Sequence, residues 1–145
     1  MKALLALALL GIGAFAAPVP KEVKKQSPLE QLQGKWVIVS LDSGSGQQVQ
    51  TGDLATLTLK ITGDKFSAVT SGGLGSVNEA ATLVFDFSAD PMRMDVKTGT
   101  SIAAGIFKFE DGQLHLCHTQ PDSPAPTMFQ SGGGGTCSIW KRAEK

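Results

Sequence analysis

Gly105-Ile106-Phe107-Lys108-Phe109-Glu110-Asp111-Gly112-Gln113-Leu114-His115-Leu116-Cys117-His118 holds two runs of alternating apolar and polar residues separated by Asp-Gly. Asp-Gly supplies the two positive-φ positions of a type I′ turn, whose twist matches that of paired strands. A hairpin closed there sets Phe109 opposite Leu114 and Phe107 opposite Leu116. All four side chains then share one face, with Lys108 opposite His115 on the other.

The flanking segments repeat this alternation. Leu57, Leu59 and Ile61 alternate with Thr58, Lys60 and Thr62, and Gly63-Asp64 turns the chain into 65–70, where Phe66 and Ala68 share a face. Leu83, Phe85 and Phe87 alternate with Val84 and Asp86. Asp90-Pro91 makes a turn, after which Met92, Met94 and Val96 interleave with Arg93, Asp95 and Lys97. Trp36 to Leu41 is a β-branched run with apolar residues on both faces, and a last strand covers Thr136 to Arg142. These are eight strand candidates joined mostly by short turns, with no helix long enough for a parallel crossover. The pattern predicts an all-β fold, an eight-stranded antiparallel up-and-down barrel, because closure hides the unpaired strand edges. An open two-sheet sandwich fits the same alternation less economically. Ahead of the strands, Ser27-Pro28-Leu29-Glu30 reads as a capping box with Pro at the first helical position, and Gly34 supplies a left-handed stop. That is one short N-terminal helical turn.

The segment before it reads as an address. Met1-Lys2 is followed by an unbroken run of apolar residues and Gly from Ala3 to Phe15, too short for the roughly 20 residues of a spanning helix. Ala14-Phe15-Ala16 has the small-x-small form cut by a signal peptidase. The expected organisation is a signal peptide at 1–16, a Pro- and Lys-rich flexible leader at 17–26, a barrel domain at 27–142 and a short tail at 143–145. The chain is expected in an exported compartment (periplasm, cell envelope or outside the cell), with no membrane span after removal of the signal. In an oxidising compartment Cys117 and Cys137 suggest a disulfide. It would close a loop of about 21 residues, worth roughly 3 kcal/mol on the chain-entropy argument.

The 13 basic and 13 acidic residues cancel. Nucleic acid is therefore not expected as a partner, since its phosphates call for a basic stripe. His115, Cys117 and His118 are the only cluster of metal-competent side chains. On a strand His115 and Cys117 share a face while His118 points the other way, so no metal site is expected. Asp64, Asp90 and Asp111 sit in turns, and mid-strand Asp95 reads as an outer-face partner of Arg93 or Lys97. The Gly72–Ser76 and Gly132–Gly135 stretches lack the Lys-Ser/Thr of a phosphate loop, and there is no nucleophile-elbow or zinc-protease motif. The chain is not expected to be an enzyme, and no cofactor is expected.

Gly34-Lys35-Trp36, opening the first strand after a helical turn, resembles the G-x-W signature of lipocalins. Arg142 resembles the last-strand arginine that packs on that tryptophan at the closed end of the barrel. A longer series continues the likeness: Leu32 to Trp36, Thr62 to Phe66, Asp90 to Asp95, Gly105 to Phe109, Leu114 to Cys117, Pro126 to Phe129 and Lys141-Arg142. Together they resemble the planctomycete-type lipocalin-like repeat domain, a functionally uncharacterised family, over Leu29 to Arg142. Two positions depart from it. Ala125-Pro126 stands where the family usually has Arg-Pro, and Cys137 is not expected from the family pattern.

What remains for function is the barrel interior. By parity Ile38, Leu59, Phe66, Phe85, Phe87, Met92, Met94 and Phe107 face inward and are the candidates for lining a site for a small apolar ligand. Eight strands leave an interior that side chains can fill or that can hold one small ligand. The carrier reading therefore stands beside an alternative, a cell-envelope interaction module with a filled barrel that meets a protein partner through the loops at 42–53, 71–79 and 120–135.

Overall fold

A computed structural model of the chain describes residues 24–44, 48–50, 57–70, 81–132 and 134–144. The expected signal peptide at 1–16, the leader up to residue 23 and the loop at 71–79 lie outside the described residues, as does part of the loop at 42–53. The elements are helix α1 (Pro28–Leu32) and strands β1 (Gly34–Asp42), β2 (Gln48–Gln50), β3 (Leu57–Thr62), β4 (Lys65–Thr70), β5 (Ala81–Asp86), β6 (Arg93–Thr98), β7 (Ser101–Ala103), β8 (Gly105–Glu110), β9 (Gln113–His118) and β10 (Thr136–Arg142).

Antiparallel pairing runs β1-β3-β4-β5-β6-β8-β9-β10, and β10 pairs back onto β1. This is the closed, eight-stranded up-and-down barrel that the alternation predicts. The short strands β2 and β7 are additions to it, pairing with the far ends of β1 and β6. Neither is marked in the sequence by a periodic run. The β8–β9 hairpin has the predicted register, Phe109 opposite Leu114 and Phe107 opposite Leu116. Asp111 and Gly112 take φ of 52° and 74° at its turn, as a type I′ turn requires.

β1 carries the main irregularity. Trp36 pairs with Arg142 and Ile38 with Trp140, but Ser40 pairs with Ile139, so β1 holds one residue more than β10 between these rungs. Such a bulge reverses the in-out parity of everything beyond it. Trp36 and Ile38 face the interior before it; Leu41 lines the interior after it, while Ser40 faces a groove on the outside. Trp36, Ile38 and Leu41 thus make one inward stripe that changes parity midway, while Val37, between Trp36 and Ile38, faces the other way. Beyond the bulge β1 leaves β3 and pairs with β2.

Side chains fill one end of the barrel. Trp36, Ile38, Phe107 and Leu114 are buried there. Trp36 and Phe107 each pack on Phe109, with ring centroids 6.3 and 5.9 Å away. Helix α1 closes this end from below. Ser27 and Glu30 form the predicted capping box, and the Ser27 amide and hydroxyl hold the Glu30 carboxyl below the usual carboxylate range. Leu32 is buried, and its carbonyl accepts from Trp36 Nε1 at 2.9 Å. Gln33 reaches the β3–β4 turn, accepting from the Gly63 amide at 2.6 Å and donating to its carbonyl at 3.3 Å. The Arg142 guanidinium lies over the Trp36 ring, 4.0 Å from its centroid, and donates to the carbonyls of Gln31 and Gln33. Gly34, with φ of 112°, sits beneath it, and a Cβ there would lie 2.9 Å from an Arg142 nitrogen. Gly34, Trp36 and Arg142 are thus brought together at the closed end.

One inward assignment fails. Phe87 lies past the end of β5 at Asp86 and is 38% exposed. Where the strand stops, its alternation no longer sets the side-chain direction. Phe87 instead stacks on Phe85 at 5.3 Å and meets Phe107 edge-on at 6.2 Å, covering the closed end from outside.

Candidate functional site

Above the packed end the barrel is hollow. A cavity of about 660 Å³ occupies its other half, within the roughly 300–1,000 Å³ of small-molecule sites. Its wall is mainly apolar. Leu57, Leu59 and Ile61 come from β3, Phe66 and Ala68 from β4, Leu83 from β5, and Met94 and Val96 from β6. Leu41 enters from beyond the bulge, and Leu116 and Trp140 complete the β9–β10 side.

The polar groups of the wall are graded by depth. Deepest is Ser138, 3% exposed, whose hydroxyl accepts from Trp140 Nε1 at 2.8 Å and donates to the Leu116 carbonyl at 3.3 Å. Ser138 is therefore internally satisfied, and Trp140 is held against the wall with its indole N–H occupied. Neither was among the inward residues expected. The Thr-Cys-Ser-Ile-Trp run shows no clear apolar alternation, since its inward positions are Thr136, Ser138 and Trp140. At the mouth stand Ser43, His118, Thr119, Gln120 and Thr136. Burial pushes the His118 imidazole below its ordinary value of 6.5, so the ring is neutral at pH 7.

The segment after β9 forms one side of the mouth. Thr119 and Asp122 donate backbone bonds to Ala104 and Ile102, each at 2.9 Å. Further on, Phe129 packs beneath the Lys108 ammonium at 5.0 Å on the outer face of β8. The base of this loop is fixed by a disulfide between Cys117 and Cys137, which are directly paired across β9 and β10 with Cα atoms 4.1 Å apart. Asp42 helps hold the far side, its carboxyl kept low by the Ser131 hydroxyl and the Gly44 amide.

The eight candidates for the ligand site divide by depth. Leu59, Phe66 and Met94 line the cavity. Ile38, Phe85, Met92 and Phe107 face the packed end instead, and Phe87 lies outside it. Parity separates inside from outside but carries no information on height along the barrel axis, which depends on the stagger between strands. His115 lines the outer groove while His118 lines the cavity, the opposite directions that alternation gives them. No three His, Cys, Asp or Glu side chains among the described residues come together as metal ligands would. Asp95 pairs with Arg93 at 3.0 Å and also accepts from the Gly105 amide at 3.2 Å, tying β6 to β8 on the outside. Among the described residues no helix is long and apolar enough to cross a membrane.

No family model, curated protein or solved structure matches this chain.

Proposed function

We propose that this chain is an exported carrier of the lipocalin-like kind that holds one small, largely apolar ligand in the open half of its barrel, and that it performs no catalysis. The observation that carries this reading is the cavity of about 660 Å³ with an apolar wall and a polar mouth, the usual make-up of a ligand site. The disulfide favours an oxidising, exported setting, in keeping with the signal-like sequence at 1–16. The contact of Arg142 with Trp36 above Gly34 supports kinship with the planctomycete-type lipocalin-like domains. Among the described residues the barrel is filled only at its closed end, which weighs against the alternative of a fully packed interaction module.

The test is native mass spectrometry of the protein purified without detergent from an oxidising export compartment, with titration of the apolar fluorophore N-phenyl-1-naphthylamine alongside. An adduct of a few hundred daltons lost on denaturation, or saturable fluorophore binding abolished by Ala68→Trp in the cavity wall, is the expected result. A bare polypeptide that also fails to bind the fluorophore refutes the reading.

A further inference from the structure

We propose that the cavity selects an uncharged amphiphile with a single hydroxyl head, seated against His118 and Gln120 at the mouth with its apolar body directed toward Trp140 and Phe66. The inference rests on the carrier reading and adds the chemical class of the ligand.

Two observations lead to it. First, the lining holds no Lys, Arg, Asp or Glu among the described residues. Among the described lining residues a carboxylate or ammonium head would find no counter-ion, and giving up water unpaired is costly. Second, the polar groups of the lining are not equally open to a ligand. The Ser138 hydroxyl is committed to Trp140 and Leu116, and the Thr119 hydroxyl to the Ala104 carbonyl at 3.3 Å. His118 differs. Its ring lines the cavity and, among the described residues, makes no hydrogen bond, so both nitrogens are open to a ligand.

A neutral imidazole offers one N–H donor and one acceptor nitrogen, and a primary amide offers both as well. A hydroxyl, itself donor and acceptor, satisfies either pattern. A purely apolar ligand would displace water from these groups and leave them unpaired, losing affinity. An ether could accept but not donate.

The test is competition against N-phenyl-1-naphthylamine at pH 7.5 with dodecan-1-ol, dodecyl methyl ether and dodecanoate on the full chain. The alcohol is expected to displace the fluorophore at concentrations at least tenfold below dodecanoate and at least fivefold below the ether. His118→Phe should erase the advantage over the ether, each competitor being scored against the fluorophore's own affinity for that variant, and His118→Gln should retain it. Gln120→Lys, which places a cation at the mouth, should narrow or reverse the preference over dodecanoate. The ranking of the three ligands on the unaltered chain decides the matter even if a variant fails to fold. If the fluorophore binds but dodecanoate or the ether competes as well as the alcohol, the head-group inference is wrong and the carrier reading stands. If neither the fluorophore nor any of the three ligands binds, both fall together.

Discussion

Replacing Gly34 with Ala tests how the closed end is built. Two separate costs arise. The backbone φ of 112° is one that a residue with a Cβ rarely adopts, and forcing it costs about 1–2 kcal/mol. The new Cβ would also stand 2.9 Å from an Arg142 nitrogen, so the guanidinium must move. It then weakens its contact with Trp36 and its bond to the Gln33 carbonyl. For an exposed cation the ring contact is worth about 0.5–1 kcal/mol, and a partly solvated hydrogen bond adds about 1 kcal/mol. The single substitution should therefore cost about 2–4 kcal/mol in urea unfolding followed by circular dichroism. In an Arg142→Met background only the backbone part remains, so the same change should cost about 1–2 kcal/mol, leaving a coupling of about 1–2 kcal/mol between the two sites. Additivity to within about 0.5 kcal/mol would mean that Arg142 does not bear on Gly34, and the account of the closed end would be refuted.

Other expectations follow from the division of the barrel and from its staple. Phe107→Ala, at a fully buried position, should cost about 3–5 kcal/mol. Phe66→Ala should cost less than half of that in the same unfolding assay, because it enlarges a space already open, yet it should weaken fluorophore binding. Replacing Cys117 and Cys137 together by Ala removes a crosslink between residues 20 apart in sequence. It should lower stability by about 3 kcal/mol, read as a drop in the urea midpoint. The depressed pKa of His118 means that the unfolded chain takes up its proton first as the pH falls. Stability tied to this group is thus complete above about 6.5 and lost as the pH drops through the lower folded value. His118→Leu should flatten the decline in melting temperature between neutral and mildly acidic pH, and an unchanged slope would show that this histidine is not its source.

The sequence was informative where local chemistry and tertiary placement agree. Asp111-Gly112 fixes a turn type, the turn fixes a register, and the register puts Phe107, Phe109, Leu114 and Leu116 on the inside. The ring of eight strands follows from repeating that logic. Misreadings arose where a local rule was carried past its range. Phe87 keeps the alternation of Leu83 and Phe85 but lies beyond the strand. The slip between Ile38 and Ser40 leaves no mark in a run of Val and Ile. Ser138 and Trp140 were missed because a hydroxyl facing inward looks polar until its partners are seen. Most of the ligand candidates were assigned to the right face, but whether each belongs to the packed half or the hollow half was not legible, since height is set by pairing across distant segments.

The chain enters and leaves the barrel at the same pole. Trp36, near the start of β1, is paired with Arg142, near the end of β10, and the Ala143 amide bonds to the Lys35 carbonyl at 3.0 Å. Tension applied between the two ends therefore loads that seam one rung at a time, as in opening a zipper, instead of shearing many rungs together. The guanidinium clasp on Gln31 and Gln33 takes the first strain. In single-molecule pulling the domain should yield at low force, with mechanical softness confined to the β1–β10 seam, while the mouth at the opposite pole carries no load until that seam has parted.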